Sequence, residues 1–444
     1  IILDDIQKQA VHKAVLNGLM VITGGPGTGK TTTINTIIKY FEMEGLEIRL
    51  AAPTGRAAKR MAETSGYEAQ TIHRLLEICG SASDSQNTGM HFERNEDNPL
   101  ETDVIIVDEM SMVDVSIMNS LLKAIAVGTR LILVGDVDQL PSVGPGNVLK
   151  DIIHSGCFEV VKLEKIFRQA AESEIIMNAH KINKGEPVTL NKYSKDFLFV
   201  RRNNPDAIIA AMCTLIKEKL PDYVHADRKD IQILTPTRKS AVGAQRLNRI
   251  MQQYLNPPSA DKMEKEVGDT IYRVGDKVMQ IKNNYDIIWH KDGENGTGIF
   301  NGDIGYLRAI NRQTQEVVAE FDGRRATYPF EQLDQLELAY AVTVHKSQGS
   351  EFQAVVMPLL GGFPKLYYRN LLYTAVTRAR RLLIMIGSQK VIYQMVENNR
   401  RMNRYTCLRD MLEQQKSTAQ TQRLEQPEAS GATEQDAPEQ EESS

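Results

Sequence analysis

Residues 20–31 of the chain read MVITGGPGTGKT, and this stretch decides the fold. An apolar run at residues 20–23 leads directly into Gly24 to Thr31, which match the pattern G-x-x-x-x-G-K-[ST]. In such a turn, glycines allow backbone N–H groups to face phosphate oxygens, the lysine reaches the β- and γ-phosphates, and the last hydroxyl can ligate Mg²⁺. The stretch therefore predicts a strand, a phosphate-binding loop and a helix, in preference to a glycine-rich turn without a ligand.

The sequence around this loop has the pattern of a parallel α/β fold. Up to about Leu163, short apolar runs alternate with amphipathic stretches, which is typical of buried parallel strands joined by crossover helices. Similar runs resume at Phe197. A chain of 444 residues is also longer than a domain with a single hydrophobic core usually is. The sequence therefore predicts two α/β lobes, residues 1–165 and residues 166–266 together with 337–400.

Three segments depart from this pattern. Residues 80–99 are polar and rich in turn-forming residues, so we expect a hairpin or loop that projects from the first lobe. Between residues 267 and 336, strand-like runs alternate with Asn-Gly and Asp-Gly pairs, which predicts a small β-barrel-like insertion in the second lobe. Residues 413–444 contain eight acidic and two basic side chains and almost no large apolar ones, so we predict a disordered acidic tail.

The composition is that of a soluble globular protein. The chain is 41% hydrophobic and 25% charged, and no run approaches the ~18 apolar residues that a membrane-spanning helix requires. Its four cysteines lie far apart in sequence, which favours reduced thiols in a cytoplasmic protein over zinc sites or a disulfide framework. The net charge is −4 with the acidic tail and +2 without it, which neither supports nor excludes a nucleic-acid groove.

Polar side chains follow the strands at the edge where open α/β sheets bind ligands. Asp108 and Glu109 come directly after the run VIIV and suit a Mg²⁺ ligand and a base for an attacking water, although strand-end carboxylates are often only solvated. Gln139 ends the next strand and could touch a γ-phosphate or its water. Arg168 and Arg378 lie beyond the first lobe, so each could neutralise a phosphoryl group from across the interface, or be a surface cation.

The order of the motifs resembles that of superfamily-one DNA helicases, and most of all their RecD-like branch. The motifs are LDDIQ (3–7), GGPGTGKT (24–31), APTGRAA (52–58), TIHRLL (71–76), VDEMS (107–111), GDVDQLP (135–141), IFRQ (166–169), VTVHKSQGSEF (342–352) and LLYTAVTRAR (371–380). The resemblance runs from Leu3 to about Gly387. It implies two RecA-like lobes that clamp ATP, a hairpin that acts as a pin, and an SH3-like insertion that contacts single-stranded DNA.

The same resemblance implies roles for individual residues. Gln7 would bond adenine and Phe167 would stack on it, although Phe167 by itself reads as a core aromatic. The implied contacts to ATP and Mg²⁺ are Gln7, Gly25, Pro26, Gly27, Thr28, Gly29, Lys30, Thr31, Thr32, Phe167, Gly349 and Glu351, with Gln139 completing the site and with Thr31 and Asp108 at the metal. The implied DNA contacts are Pro53, Thr54, Thr71, His73, Thr235, Arg238, Thr343 and His345, at strand ends that can hold phosphates without reading bases.

Some of these residues have simpler interpretations. The two histidines could be ordinary polar residues, since neither has metal-ligand spacing. Trp289 in the insertion could stack on a base, but packing is the favoured interpretation.

Together these features predict an ATP-dependent DNA helicase that moves 5′ to 3′ on single-stranded DNA and unwinds duplex junctions as a monomeric motor in repair or recombination. The nearest alternative is a DNA-stimulated translocase or nuclease-complex subunit without independent unwinding. A nucleotide-dependent switch or small-molecule kinase would leave the second lobe and Arg378 unexplained. Stand-alone members of the branch carry a long region before the glutamine motif, and we expect that region to be missing here.

Overall fold

The computed structural model describes residues 3–79, 91–190, 193–400 and 404–425. Within them, two parallel sheets each carry helices, and an antiparallel β-rich unit interrupts the second α/β part. Among the described residues, no helix has the length and apolar character that crossing a membrane requires.

The first lobe holds the phosphate-loop sequence at the centre of its sheet. Its strands are β1 (Leu19–Gly24), β2 (Ile48–Ala52), β3 (Ala69–Thr71), β4 (Ile78–Cys79), β5 (His91–Phe92), β6 (Val104–Val107), β7 (Arg130–Gly135) and β8 (Glu159–Leu163). Its helices are α1 (Asp5–Leu16), α2 (Lys30–Met43), α3 (Gly55–Ser65), α4 (Ile72–Leu75), α5 (Val115–Lys123) and α6 (Val148–Ser155). In the described residues the sheet is parallel with the order β3-β2-β6-β7-β1-β8, so the loop after β1 lies between the ends of β7 and β8.

Helices cover both faces of this sheet, which explains its uniformly apolar strands. Residues of α1 and α2 pack with one set of strand side chains, and residues of α5 and α6 pack with the other set. Every residue of β6 is buried, as expected for a strand in the interior of a parallel sheet.

A hairpin begins where the sequence predicted an interruption. β4 and β5 pair antiparallel, with Ile78 opposite Phe92. Beyond them the Glu93 N–H donates to the Glu77 carbonyl at 2.8 Å and continues the ladder. The two strands thus flank residues 80–90, which lie outside the described residues.

The remaining elements form the second lobe and its insertion. The strands are β9 (Phe197–Arg201), β10 (Ile231–Thr235), β11 (Glu264–Val267), β12 (Thr270–Arg273), β13 (Lys277–Gln280), β14 (Asn284–Lys291), β15 (Glu294–Ile299), β16 (Ile304–Asn311), β17 (Glu316–Phe321), β18 (Arg324–Pro329), β19 (Leu336–Leu338), β20 (Ala341–Thr343), β21 (Phe352–Leu359) and β22 (Ala379–Gly387). The helices are α7 (Arg168–Ala171), α8 (Glu174–Lys184), α9 (Pro205–Thr214), α10 (Leu220–Val224), α11 (Ala244–Leu255), α12 (Arg369–Val376), α13 (Gln389–Glu397) and α14 (Leu408–Glu425).

These strands divide into a parallel sheet and an antiparallel unit. The described part of the second lobe has the parallel order β20-β10-β21-β22-β9, and the insertion has the antiparallel order β15-β14-β18-β17-β16-β13-β19 beside the β11–β12 pair. Trp289 packs against the apolar core of the insertion, with the Arg324 guanidinium 5.8 Å from its ring centroid. This position supports the packing interpretation of Trp289.

The predicted disorder of the C-terminal tail is wrong for residues 413–425, which belong to α14. Leu408 and Leu412 lie four residues apart, so they share one side of the helix and pack on the apolar core beside α6. Two leucines on one face suffice for docking on an existing lobe, although the composition of the segment could not build a core of its own. Residues 426–444 lie outside the described residues.

The segment before α14 is also held by the first lobe. The Arg404 guanidinium donates to the carbonyls of Ser142, Gly144 and Gly146, at 2.6 Å for Gly144 and 2.8 Å for Gly146. The chain thus returns from the second lobe to the first after α13.

We predict that Leu412→Ala lowers the free energy of unfolding by about 1–2 kcal/mol, because a half-buried leucine loses apolar contact. Met411→Ala, at a side chain that is 59% exposed on the same helix, is the matched control and should change it little. Urea denaturation of both variants measures this difference. Equal effects of the two substitutions would contradict the docking of α14.

Candidate functional site

The loop between β1 and α2 has the backbone that phosphate binding requires. Gly27 and Gly29 have φ of +73° and +81°, in the left-handed region that favours glycine. A Cβ on Gly29 would lie 2.5 Å from Nε2 of Gln7 and 2.7 Å from a ring carbon of Phe167. The structure therefore brings both predicted adenine contacts to the loop and leaves no room for a side chain at Gly29.

Gln7 is almost fully buried and connects α1 to this loop. Its side-chain oxygen accepts from the Asp4 N–H at 3.1 Å, and its Nε2 donates to the Gly29 carbonyl at 3.3 Å. Phe167 is only partly buried, and its N–H donates to the Gly27 carbonyl at 3.2 Å. Gln7 is thus an anchor of the loop as well as a predicted adenine contact.

Lys30 folds back over the loop. Its Nζ donates to the carbonyls of Gly24 at 2.6 Å and Gly25 at 2.9 Å, and the Thr28 hydroxyl also donates to Gly25 at 2.8 Å. The lysine amine therefore lies at the mouth of the loop, within reach of any group that the loop holds.

Two carboxylates follow β6, in the same lobe as the phosphate loop. Burial and the nearby negative charge of Glu109 raise the pKa of Asp108 to about 6, against the opposing effect of Arg60 and Lys30. The Glu109 N–H donates to Oδ1 of Asp108 at 2.7 Å, and Glu109 has a φ of +55°, which is uncommon for a residue other than glycine. A recessed carboxylate with a raised pKa beside a second one suits a bound divalent cation.

Residues of the second lobe reach into the same cleft. Arg378 is 1% exposed, and its Nη2 donates to Oε1 of Gln139 at 2.8 Å, so two predicted catalytic residues meet across the interface. Two further contacts were missed by the sequence analysis. The Tyr373 hydroxyl donates to Oδ2 of Asp136 at 2.6 Å, and Nε2 of His180 lies 2.9 Å from the carbonyl oxygen of Pro26.

The contact between Tyr373 and Asp136 affects the pKa of both side chains. Burial raises the pKa of Asp136, against the favourable effects of Lys30 and of the Tyr373 hydroxyl. Burial and the charge of Asp136 raise the pKa of Tyr373 far above its ordinary value. Tyr373 lies within the motif LLYTAVTRAR, but only the three-dimensional contact distinguishes it from a core tyrosine.

Arg60 on α3 is the cation that the sequence analysis did not identify. Its Nη1 lies 2.5 Å from Oε1 of Glu351 in the second lobe and 3.6 Å from Oε1 of Glu109 in the first. The other oxygen of Glu351 accepts from Nε of Arg380 at 2.8 Å. Burial alone would raise the pKa of Glu351, but Arg60, Arg378 and Arg380 together hold it below its usual value.

One cavity between the lobes is small. A cavity of about 70 Å³ is lined by residues of both lobes, among them Lys30, Thr31, Asp108, Glu109, Gln139, Glu351 and Arg378. Typical ligand pockets measure roughly 300–1,000 Å³, so this cavity alone is too small for a nucleotide. A cavity of about 650 Å³ shares Asp136 and Gln139 with it and is also lined by Gly24 and Gly25. The predicted residues that do not line the smaller cavity include Arg168 and Gly349. Arg168 is exposed at the start of α7, and Gly349 lies beside Thr54, where a Cβ would come 2.7 Å from the threonine hydroxyl.

The predicted DNA contacts of the first lobe follow β2 and β3. Thr54 and Thr71 cap α3 and α4, and their hydroxyl oxygens accept backbone N–H bonds at 3.3 Å and 3.1 Å respectively. Pro53 directly precedes the first cap. The His73 ring centroid lies 6.0 Å from that of Phe92, and burial lowers the pKa of His73, so its neutral form is favoured.

The predicted DNA contacts of the second lobe lie at the ends of β10 and β20, where Thr235 is opposite Thr343. Thr235 is fully buried and its hydroxyl donates to the Val242 carbonyl at 2.8 Å, so that hydroxyl does not face a groove. Burial also lowers the pKa of His345.

A carboxylate among these residues was not foreseen. Oε2 of Glu337 lies 2.5 Å from Nζ of Lys346, and Oε1 of Glu337 lies 3.6 Å from Nη2 of the largely exposed Arg238. Neither Glu337 nor Lys346 was singled out in the sequence, because each alone reads as an ordinary surface charge.

Three family models match this chain in order. They are described as an AAA domain at residues 7–145, an ATP-dependent RecD-like DNA helicase SH3 domain at 247–321, and a UvrD-like helicase C-terminal domain at 338–386. Together with the two parallel sheets, they define a P-loop protein with two RecA-like lobes and an SH3-like insertion, which confirms the predicted fold class.

Similarity to curated proteins shows the family to which the chain belongs. It is 34% identical over 406 residues to the ATP-dependent RecD2 DNA helicase of Deinococcus radiodurans, covering 91% of this chain and 52% of that protein. It is 30% identical over 444 residues to the RecBCD enzyme subunit RecD of Mycolicibacterium smegmatis, covering 91% of this chain and 74% of that protein. The chain thus spans about half the length of the first relative, and it belongs to the RecD-like helicase family.

Solved structures show the same fold. A Pif1 helicase from Bacteroides in complex with ADP-AlF3 and single-stranded DNA has a TM-score of 0.52 at 21% identity, covering 94% of this chain and 98% of its own. A structure of two coordinating Pif1 helicases at forked DNA has a TM-score of 0.53 at 19% identity, with the same two coverages.

Proposed function

We propose that this chain is the motor of an ATP-dependent DNA helicase that moves 5′ to 3′ along single-stranded DNA and acts in DNA repair or recombination. The observation that carries the proposal is the contact between Arg378 and Gln139, by which a buried cation of one lobe meets a residue of the other at a cavity that Lys30 and Thr31 also line. A site divided between two lobes makes hydrolysis depend on their closure, and closure is what a motor can convert into movement.

The residues of the cleft suit ATP with Mg²⁺. Lys30 and the N–H groups of the loop hold phosphate oxygens, Gln7 and Phe167 hold the base, and Glu109 accepts a proton from the attacking water. Arg378 offsets the negative charge that develops on the transferred group.

The hydroxyl of Thr31 and the carboxylate of Asp108 are the oxygen donors for Mg²⁺, which in such sites typically binds one or two carboxylates plus substrate phosphates. When bound, the metal neutralises phosphate charge. Within the described residues, no three His, Cys, Asp or Glu side chains cluster as metal ligands.

The DNA path runs along the strand ends of both lobes, next to the interlobe contact of Thr54 with Gly349. Caps, backbone amides and the exposed Arg238 can hold phosphates there, so binding is expected to be independent of base sequence. Burial favours the neutral form of both histidines, and the buried Thr235 hydroxyl already donates to the Val242 carbonyl. The pin role of residues 80–99 and the catalytic role of Arg168 stay predictions.

The names of the relatives support this proposal and also its alternative. The Deinococcus relative is named as a helicase, whereas the mycobacterial one is named as a subunit of the RecBCD enzyme. We propose a monomeric motor. A subunit without independent unwinding is the second candidate, favoured by the RecD relatives.

We predict that Lys30→Ala weakens nucleotide binding and abolishes turnover, whereas Glu109→Gln binds Mg-ATP normally and loses about 10²-fold or more in kcat, because only the base is removed. Nucleotide titration and steady-state ATPase assays separate the two effects. Near-normal turnover by Glu109→Gln would refute its assignment as the base.

We also predict that the chain unwinds a duplex with a 5′ single-stranded overhang and not one with a 3′ overhang. Strand displacement with both substrates, next to ATPase assays with and without single-stranded DNA, measures this. DNA-stimulated hydrolysis without displacement of either substrate would favour the translocase or subunit alternative. Displacement only from the 3′ overhang would refute the direction.

A further inference from the structure

Arg60 lies between a carboxylate of each lobe. It belongs to α3 of the first lobe, and its Nη1 is 2.5 Å from Oε1 of Glu351 and 3.6 Å from Oε1 of Glu109. The two carboxylate side chains are only 17% and 13% exposed, so water screens their interaction with the guanidinium incompletely. The cation therefore acts on both carboxylates at once.

The two distances describe different interactions. At 2.5 Å the contact with Glu351 is a close ion pair, whereas Glu109 at 3.6 Å is a longer ion-pair partner of the same guanidinium. The ion pair with Glu351 thus holds the guanidinium beside Glu109 without occupying the Glu109 oxygen. That oxygen keeps its lone pairs for a water molecule.

The second lobe fixes the position of Glu351. Its second oxygen accepts from Arg380, which lies in β22 of the same lobe. The first lobe fixes the position of Glu109, which has a left-handed backbone and an N–H that donates to Asp108. Any change in the distance between the lobes therefore changes where Arg60 lies relative to Glu109.

We propose that Arg60 is a positioning residue that couples closure of the lobes, through its ion pair with Glu351, to the orientation of the base Glu109. This inference rests on the proposed ATPase function. When the lobes separate, Arg60 loses Glu351 and pairs directly with Glu109, which then no longer orients water. When they close, Glu351 draws the guanidinium back.

The first test compares Arg60→Ala and Arg60→Lys in steady-state ATPase assays with saturating single-stranded DNA. Arg60→Ala should lower kcat about tenfold or more, with KM for ATP changed less than about threefold, because a charge-assisted contact is lost and nucleotide contacts are kept. Arg60→Lys should recover part of that loss. Glu63→Gln, an exposed residue of the same helix, should match the unsubstituted chain.

A double-mutant cycle tests the coupling itself. If Glu351 acts through Arg60, then Arg60→Ala combined with Glu351→Gln should lower kcat no further than Arg60→Ala alone. Additive losses, or a raised KM in Glu351→Gln with kcat unchanged, would overturn the proposal and favour direct contact of Glu351 with the nucleotide.

A charge swap tests whether Arg60 does no more than link the two lobes through its ion pair. Arg60→Glu combined with Glu351→Arg rebuilds the interlobe ion pair but puts a carboxylate beside Glu109, so kcat should stay low. Full recovery of kcat would overturn the positioning role. If the unsubstituted chain shows no DNA-stimulated hydrolysis, the proposed function fails. Stimulated hydrolysis that is unaffected by Arg60→Ala refutes only the role of Arg60.

Discussion

A buried arginine at the interface of the lobes is the constraint on which the rest of the arrangement depends. Arg378 is 1% exposed, and its described hydrogen bonds go to neutral oxygens, those of Thr374, Ser350, Gln139 and Thr377. Burying a cation without a directly bonded anion is costly, and the site gains stability when an anion arrives. The phosphate loop, which ends at the helix that begins with Lys30, lies where such an anion would be held.

The interface around this arginine connects the proposed nucleotide site to the proposed DNA path. Thr54, at the end of a first-lobe strand, touches Gly349 of the second lobe, two residues before Glu351. Arg60, the ion-pair partner of Glu351, also lies close to Glu109. A change in lobe separation would alter both proposed sites, because they share these contacts.

Much of this architecture was predictable because local patterns encode it. The apolar strands and the loop sequence fix the first lobe, and the alternating runs with Asn-Gly and Asp-Gly pairs fix the insertion. The contact of Arg378 with Gln139 was not predicted, although the sequence analysis gave both residues roles at the same phosphoryl group, and those roles stay predictions.

What the sequence could not show are contacts between distant segments. Arg60 looks like any helical surface cation until Glu351 is placed opposite it. Helix α14 was missed because composition measures whether a segment can build a core, and not whether two leucines can dock on an existing lobe. Thr235 sits at the expected strand end, but its hydroxyl turns to Val242, and backbone pattern does not determine that rotamer.

The account depends most on completion of the nucleotide site by Arg378, and single-turnover ATP hydrolysis on saturating single-stranded DNA measures this directly. Arg378→Ala should bind ATP within about tenfold of normal and hydrolyse it about 10³-fold more slowly, the range known for arginines that stabilise a transferred phosphoryl group. Arg381→Ala is the control, since Arg381 lies three residues further along, in β22, and donates to the Val224 carbonyl within its own lobe. Normal hydrolysis by Arg378→Ala would contradict a site shared between the two lobes.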